Sequence, residues 1–382
     1  MPKTTMLGPN AACSRLFLAL LILTLSYFVY MNYLLFVRVR DFAIHRDLDA
    51  TPADPSYYNS YISCDVNPIC DVTVKSLMLD NPNHYLLSPL AVIVDRVLKI
   101  SDQSWISPNK ISAFHVLVAV AAGKCVSSDS LSQRRFGVVL FMVRSWLDDL
   151  DGHVARRRKN IRGEYSEVGS NGYWVDGICD SLGVLSLIIG VYYFIRVNPP
   201  RRGYEKLLPV IESKELGSGM LYKKQSPLGR AAPKVLLLFV GQLLLSSAGW
   251  NRYIALYQDL LEGQSSQGHQ NSVTGSSFLF TQEDIQLTVF RSGSFWAITL
   301  SWTLVNVHAL TDYLLLAIFT DRLWEYVSSI RYLGYVVLFT VLGLTEYHYR
   351  NLYQEFFNSA TSAYLKSGQS LTPFENISYR LT

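Results

Sequence analysis

Apolar residues fall in blocks along this chain, separated by polar stretches rather than interleaved with them. The first block, LFLALLILTLSYFVYMNYLLFV at 16–37, is long enough to cross a bilayer. It exceeds a secretory h-region and no small-residue cleavage site follows, which predicts a retained anchor. Further spans are predicted at 111–126, 136–147, 173–197, 235–257, 295–319 and 332–347, the first two of these being short. SPLAVIVDRVLKI at 88–100 sets Asp95, Arg96 and Lys99 beside a short apolar face. That stretch cannot span and reads as an amphipathic helix lying in the interface. The expected fold class is all-α, a polytopic membrane helical bundle. Its expected parts are an anchor at 1–40, a polar segment at 41–85, a six-span membrane domain at 86–350 and a polar tail at 351–382.

Composition fits this picture. The 382 residues are 49% hydrophobic and 17% charged, with a net charge of +4. Basic residues gather in particular loops, which speaks for membrane topology rather than nucleic-acid binding. Residues 198–234 hold eight Lys and Arg, whereas 259–290 hold none, so the positive-inside rule puts the first loop in the cytoplasm and the second across the membrane. The five cysteines are too scattered for a metal cluster. Cys64 and Cys70 lie close together, either as two free thiols or as a disulfide, which would require an oxidising lumen.

The chemistry concentrates in SWLDDLDGHVARRRKNIRGEYSEVGSNGYWVDGICDSLG, residues 145–183. Asp148 and Asp151 share one helix face, and Gly172, Asp176 and Asp180 form a stripe on the next helix. The polar connector at 157–171 can turn the chain back and bring four carboxylates together. Acidic residues at a solvated helix end are common, but Asp176 and Asp180 run into the apolar VDGICDSLGVLSLIIGVYYF. An intramembrane acid costs ~2.5–3.5 kcal/mol on insertion scales, and mutual repulsion adds to it. Divalent cations relieve both, and carboxylates without thiols suit Mg2+ or Mn2+. Gly152 and Gly172 allow close approach of a ligand, Ala155 keeps the helix face low, and Arg156 offers a planar fork for phosphate oxygens. The run from Arg156 to Lys159, with Arg162, would either gather an anionic substrate or form a positive loop against the membrane.

Asp148-x-x-Asp151-Gly152-x-x-Ala155-Arg156 followed by Gly172-x-x-x-Asp176-x-x-x-Asp180 resembles the signature of the CDP-alcohol phosphotransferases. The likeness extends over about residues 85–200 and takes in PNKIS at 108–112 and the interfacial helix before it. The gap from Arg156 to Gly172 is longer than in most members. Together with the additional anchor it makes the chain most similar to insect-type ceramide phosphoethanolamine synthases. That resemblance implies transfer of phosphoethanolamine from CDP-ethanolamine to the hydroxyl of ceramide, releasing CMP, with two divalent cations, Mn2+ or Mg2+, as cofactors. It implies Asp148, Asp151, Asp176 and Asp180 as metal ligands, and Gly152, Ala155, Arg156 and Gly172 as the CDP-alcohol site. Asp180, deepest on its stripe, is the candidate general base. The family also implies a homodimer and residence in the secretory pathway, in the Golgi. The competing readings are a diacylglycerol phosphotransferase, a UbiA-type prenyltransferase and a transporter.

Other polar residues inside spans carry weaker signals. His308 and Asp312, one turn apart after Asn306, would pair to hold helices together or touch an acceptor head group. Glu346 and His348 could face the site mouth. With a cytoplasmic N-terminus, the crossings put the connector at 157–171, the loop at 259–293 and the tail after 349 in the lumen, along with the acceptor pattern Asn376-Ile377-Ser378. Arg38, Arg40 and Arg46, which follow the first anchor, point the opposite way.

Overall fold

The computed structural model describes residues 11–41, 64, 66–70, 72–161, 169–198, 227–262 and 288–367. Among these every regular element is helical, as the block pattern predicts. Backbone polar groups at hydrocarbon depth must be satisfied within their own segment, which leaves the helix as the solution for a single chain segment. The long helices are α1 (Ala11–Asp41), α4 (Pro108–Val126), α5 (Leu131–Arg158), α6 (Asn171–Val197), α7 (Pro227–Tyr257), α8 (Gly293–Val305), α9 (Val307–Phe319) and α10 (Leu323–Ser367). Two short ones, α2 (Val74–Met78) and α3 (Ser88–Leu98), lie between α1 and α4.

Among the described residues five helices are long and apolar enough to cross a membrane, and α8 with α9 makes a sixth if the bent pair is one span. The expected span at 136–147 lies within α5, which at 28 residues is about 42 Å long but does not pass as apolar. The reason is charge inside the helix, and each charge has a partner in the bundle. Arg134 meets Asp321 at 2.7 Å, Arg135 donates to the Phe319 carbonyl at 3.0 Å, and Arg144 faces the acidic cluster. The expected single span at 295–319 bends by 42° at Asn306. There the side chain caps Ala309 N at 2.8 Å and donates to the Met78 carbonyl at 3.1 Å.

That carbonyl belongs to a segment whose polar sequence hides its position. Residues 72–85 pack in the core of the bundle, with Val74, Met78, Asp80 and Tyr85 buried. Thr73 and Ser76 form a reciprocal capping box at the start of α2. At its end, Trp250 Nε1 also donates to the Met78 carbonyl, at 2.9 Å. Asp80 accepts the Asn83 amide and side chain. Such bonds offset the cost of burying polar groups here. Cys64 and Cys70, just before this segment, are joined in a disulfide. The π-helical turn Asn83–Leu87 then leads into α3, which buries Ala91, Val92 and Asp95 and exposes Leu90, Ile93 and Val97. It is a helix with an exposed apolar face, as the amphipathic pattern of its sequence predicts.

In lipid, apolar contact between helices gains little, so close approach and polar bonds hold a bundle together. Glycines let α4 and α6 approach closely. A Cβ on Gly123 would lie 2.3 Å from the Ser186 carbonyl oxygen, and one on Gly190 2.2 Å from the Gly123 carbonyl oxygen. Helix ends sort onto two sides. Asn198 bonds Asp129, Arg134 bonds Asp321 and Phe17 stacks on Phe319, so these segments share one end. Arg291 donates to the Arg40 carbonyl at the other end, where the C-terminal end of α5 and the N-terminal end of α6 also lie.

Gly190→Leu is therefore expected to destabilise the protein in detergent by at least about 1–3 kcal/mol, through overpacking against backbone that cannot yield. Gly343→Leu, at a glycine with no atom within 4 Å, should leave the thermal midpoint unchanged.

Candidate active site

The site forms where α4, α5 and α6 meet near one membrane face. Ser107 caps α4, accepting from Lys110 N at 3.3 Å, and Ser170 caps α6, accepting from Tyr173 N at 3.2 Å. Each cap fixes where its helix begins and so which residues turn toward α5. From α5 come Asp148 and Asp151, from α6 Asp176, and from α4 His115. One ligand atom from each of these four lies within 4.8 Å of the others. The two acidic stripes expected from the sequence do converge.

Around this point the polar groups are unequally satisfied. Ser112 Oγ donates to Asp151 Oδ2 at 2.6 Å, a short charge-assisted bond that orients the carboxylate. Arg144, buried on α5, lies 3.7 Å from Asp148 Oδ2 and donates to Asp180 Oδ1. Gly183 makes room for it, since a Cβ there would stand 2.9 Å from Arg144 Nε. In contrast, Asp148 Oδ1, Asp176 Oδ1 and both ring nitrogens of His115 are buried without a hydrogen-bond partner. Buried polar atoms are normally paired. Unpaired oxygens and nitrogens that face one another at this spacing suit a cation, so the residues present fit a divalent metal ion.

The other sequence-predicted residues line the same region. Gly152 and Ala155 are partly exposed on α5, and a Cβ on Gly152 would lie 3.2 Å from Arg156 Nη1. Gly172 is exposed, with nothing within 4 Å of where its Cβ would be. Asp180 lies outside the four-residue group, on Arg144. Sequence reasoning missed Ser112, His115 and Arg144. A histidine and an arginine inside predicted spans are themselves functional signals, and Arg144 precedes Asp148 by one helical turn.

The basic run after Ala155 divides by task. Arg157 Nη1 bonds Asp95 Oδ2 at 2.6 Å, and His153 Nε2 lies 3.0 Å from the same oxygen. Ser101 supplies its amide at 2.7 Å and its hydroxyl at 2.8 Å to Asp95. Arg158 donates to the Ser101, Gln103 and Ile106 carbonyls. These bonds clip the interfacial segment to the last turns of α5, next to Asp151 and Arg156. Burial raises the Asp95 carboxyl, but the bonds from Ser101, His153 and Arg157 outweigh it and hold the group below its usual value. Residues 162–168 of the connector, Arg162 among them, lie outside the described residues.

Of the other polar residues expected inside spans, Asp312 keeps its Oδ2 buried without a hydrogen-bond partner, while three have neighbours in the packing. His308 meets the Trp250 ring edge-on at 5.4 Å between centroids. Glu346 bonds Tyr253 at 2.9 Å and Arg350 at 2.6 Å, and His348 Nδ1 lies 2.8 Å from the Tyr257 hydroxyl.

Asp95→Ala should lower stability at neutral pH by about 1–3 kcal/mol, the cost of leaving its donors unpaired. A lowered carboxyl contributes fully above the ordinary aspartate range, about pH 4, and its contribution is lost as pH falls through the lowered value. Melts of variant and wild type should therefore converge in acid; a gap that persists there would refute the assignment.

Comparison with known proteins bears on this geometry. The family model described as ceramide phosphoethanolamine synthase matches residues 6–359. The ceramide phosphoethanolamine synthase of Drosophila melanogaster is 41% identical over 397 residues, covering 93% of this chain and 98% of that protein. No solved structure matches the chain.

Proposed function

The chain belongs to the ceramide phosphoethanolamine synthase family, and from that premise we propose that it moves phosphoethanolamine from CDP-ethanolamine to the primary hydroxyl of ceramide, releasing CMP. The observation that carries this reading is the convergence of Asp148, Asp151 and Asp176 with unpartnered, buried ligand atoms in the middle of the motif. Such a cluster suits a diphosphate substrate held through divalent cations.

In this mechanism Asp148, Asp151, Asp176 and Asp180 would hold two ions, Mn2+ or Mg2+. When bound, the ions would neutralise the diphosphate and the charge that develops on departing CMP. Arg156, whose guanidinium lies beside Gly152, would offer a planar fork of donors to phosphate oxygens. Gly152 and Ala155 keep the α5 surface low for the nucleotide, and Gly172 leaves the facing wall of α6 open. The ceramide oxygen attacks the phosphorus that bears ethanolamine, and the bond from that phosphorus to the bridging oxygen of CMP breaks. Asp180 takes the hydroxyl proton and later passes it to water. Arg144 donates to Asp180 and fixes its direction.

The site faces the lumen in this reading, in a Golgi membrane. The disulfide Cys64–Cys70 precedes α2 and α3, which pack at the site's end of the bundle, and disulfides persist in oxidising compartments. The charge contrast between residues 198–234 and 259–290 supports the same orientation.

Purified protein given labelled CDP-ethanolamine or CDP-choline, with ceramide and diacylglycerol in parallel, should make ceramide phosphoethanolamine fastest. Preference for diacylglycerol would overturn the acceptor assignment. Exhaustive chelation should stop turnover and Mn2+ or Mg2+ restore it, while Asp180→Asn should lower kcat by about 10²–10⁴-fold with CDP-ethanolamine binding largely kept. A glycosidase-sensitive mass shift that disappears in Asn376→Gln would confirm a lumenal tail, and cleavage of the tail by protease added outside sealed microsomes would reverse the orientation.

A further inference from the structure

His115 does not belong to the acidic motif and lies on a different helix, yet its ring points into the same space. It is fully buried. Nε2 is 3.5 Å from Asp148 Oδ1 and 3.9 Å from Asp151 Oδ2, on residues one helical turn apart. These separations are too long for hydrogen bonds, and neither ring nitrogen has any hydrogen-bond partner. A buried imidazole that only filled space would leave two polar atoms unsatisfied, at about 1–3 kcal/mol each. A core histidine normally bonds at least one nitrogen to a neighbour, as His153 does with Asp95 and His348 with Tyr257.

The spacing is that of ligands sharing an ion. Atoms each about 2.1 Å from an octahedral cation lie roughly 3.0 Å apart when adjacent and 4.2 Å when opposite. The four ligand atoms of His115, Asp148, Asp151 and Asp176 fall within a comparable 4.8 Å. Asp180 differs: its near oxygen already has a cation, the Arg144 guanidinium. The supports around the cluster match this division. Ser112, one turn before His115 on α4, bonds Asp151 and holds that carboxylate beside the imidazole, while Gly183 keeps Arg144 against Asp180.

We propose that His115 is a direct nitrogen ligand to one of the divalent ions, completing with Asp148, Asp151 and Asp176 a mixed imidazole–carboxylate shell. Asp180 is then held chiefly by Arg144 and left free to serve the acceptor hydroxyl. This rests on the metal-dependent reading above and adds to it a ligand from α4, so that the site requires three helices rather than two.

The test is pulsed electron paramagnetic resonance on the full-length protein in nanodiscs, loaded with one equivalent of Mn2+ in a nitrogen-free buffer. Bound Mn2+ should show a directly coordinated nitrogen, and the coupling should change to the 15N pattern when the protein is made with 15N-labelled histidine. His115→Ala should abolish the coupling and weaken Mn2+ binding at least tenfold. The labelling arm needs no variant to fold. Mn2+ that binds tightly with no nitrogen coupling, or with a coupling that survives His115→Ala, would overturn the proposal and leave the carboxylate site standing. Failure of the wild-type protein to bind Mn2+ at all would overturn both.

Discussion

Negative charge gathered inside a membrane bundle must be compensated, and this protein is organised around that requirement. Asp148, Asp151, Asp176 and Asp180 meet near the ends of α5 and α6, within reach of a buried guanidinium, Arg144. One such cation cannot balance four carboxylates at short range in a medium of low dielectric. Part of the cluster is left with buried oxygens that bond nothing in the protein. A fold that keeps such a site is tolerable when the balance is supplied from outside, and substrate phosphates can then use the same ions.

The rest of the bundle serves to hold that cluster in place. Close backbone contact between α4 and α6 through Gly123 and Gly190 brings Ser112 and His115 to the carboxylates. Asp95, bonded by Ser101, His153 and Arg157, fixes the interfacial helix to the last turns of α5. It thereby uses part of a basic run that sequence alone presents as uniform. Within it Arg157 bonds Asp95, and Arg158 bonds the carbonyls of Ser101, Gln103 and Ile106. On the other flank, the Met78 carbonyl ties α2 to α7 and to the break between α8 and α9. The buried segment at 72–85 thus joins the disulfide region to the core.

The acidic half of the site was legible because helical periodicity reveals it. Asp148 with Asp151, and Asp176 with Asp180, fall on shared faces whatever the tertiary packing. Interactions across helices were harder to see. His115 sits in an apolar run where a single histidine could as easily be packing, and only the approach of α4 to α5 gives it partners. Arg144 reads as an oddity in a short span until Asp180 is found opposite it. Residues 72–85 look like loop because their polar side chains are plentiful, and the bonds that allow their burial come from Trp250 and Asn306, far along the chain. The bend at Asn306 was hidden for a related reason: the apolar run continues across it, and the break arises from one amide bonding a distant carbonyl.

The most direct measurement is an experimental structure of the protein with Mn2+ and CDP-ethanolamine, using the anomalous signal of manganese to locate the ions. The account predicts anomalous peaks between α4, α5 and α6, about 2.1 Å from oxygens of Asp148, Asp151 and Asp176, with the diphosphate bridging them. Manganese located elsewhere, or a diphosphate bound by basic side chains alone with the carboxylates turned apart, would contradict it.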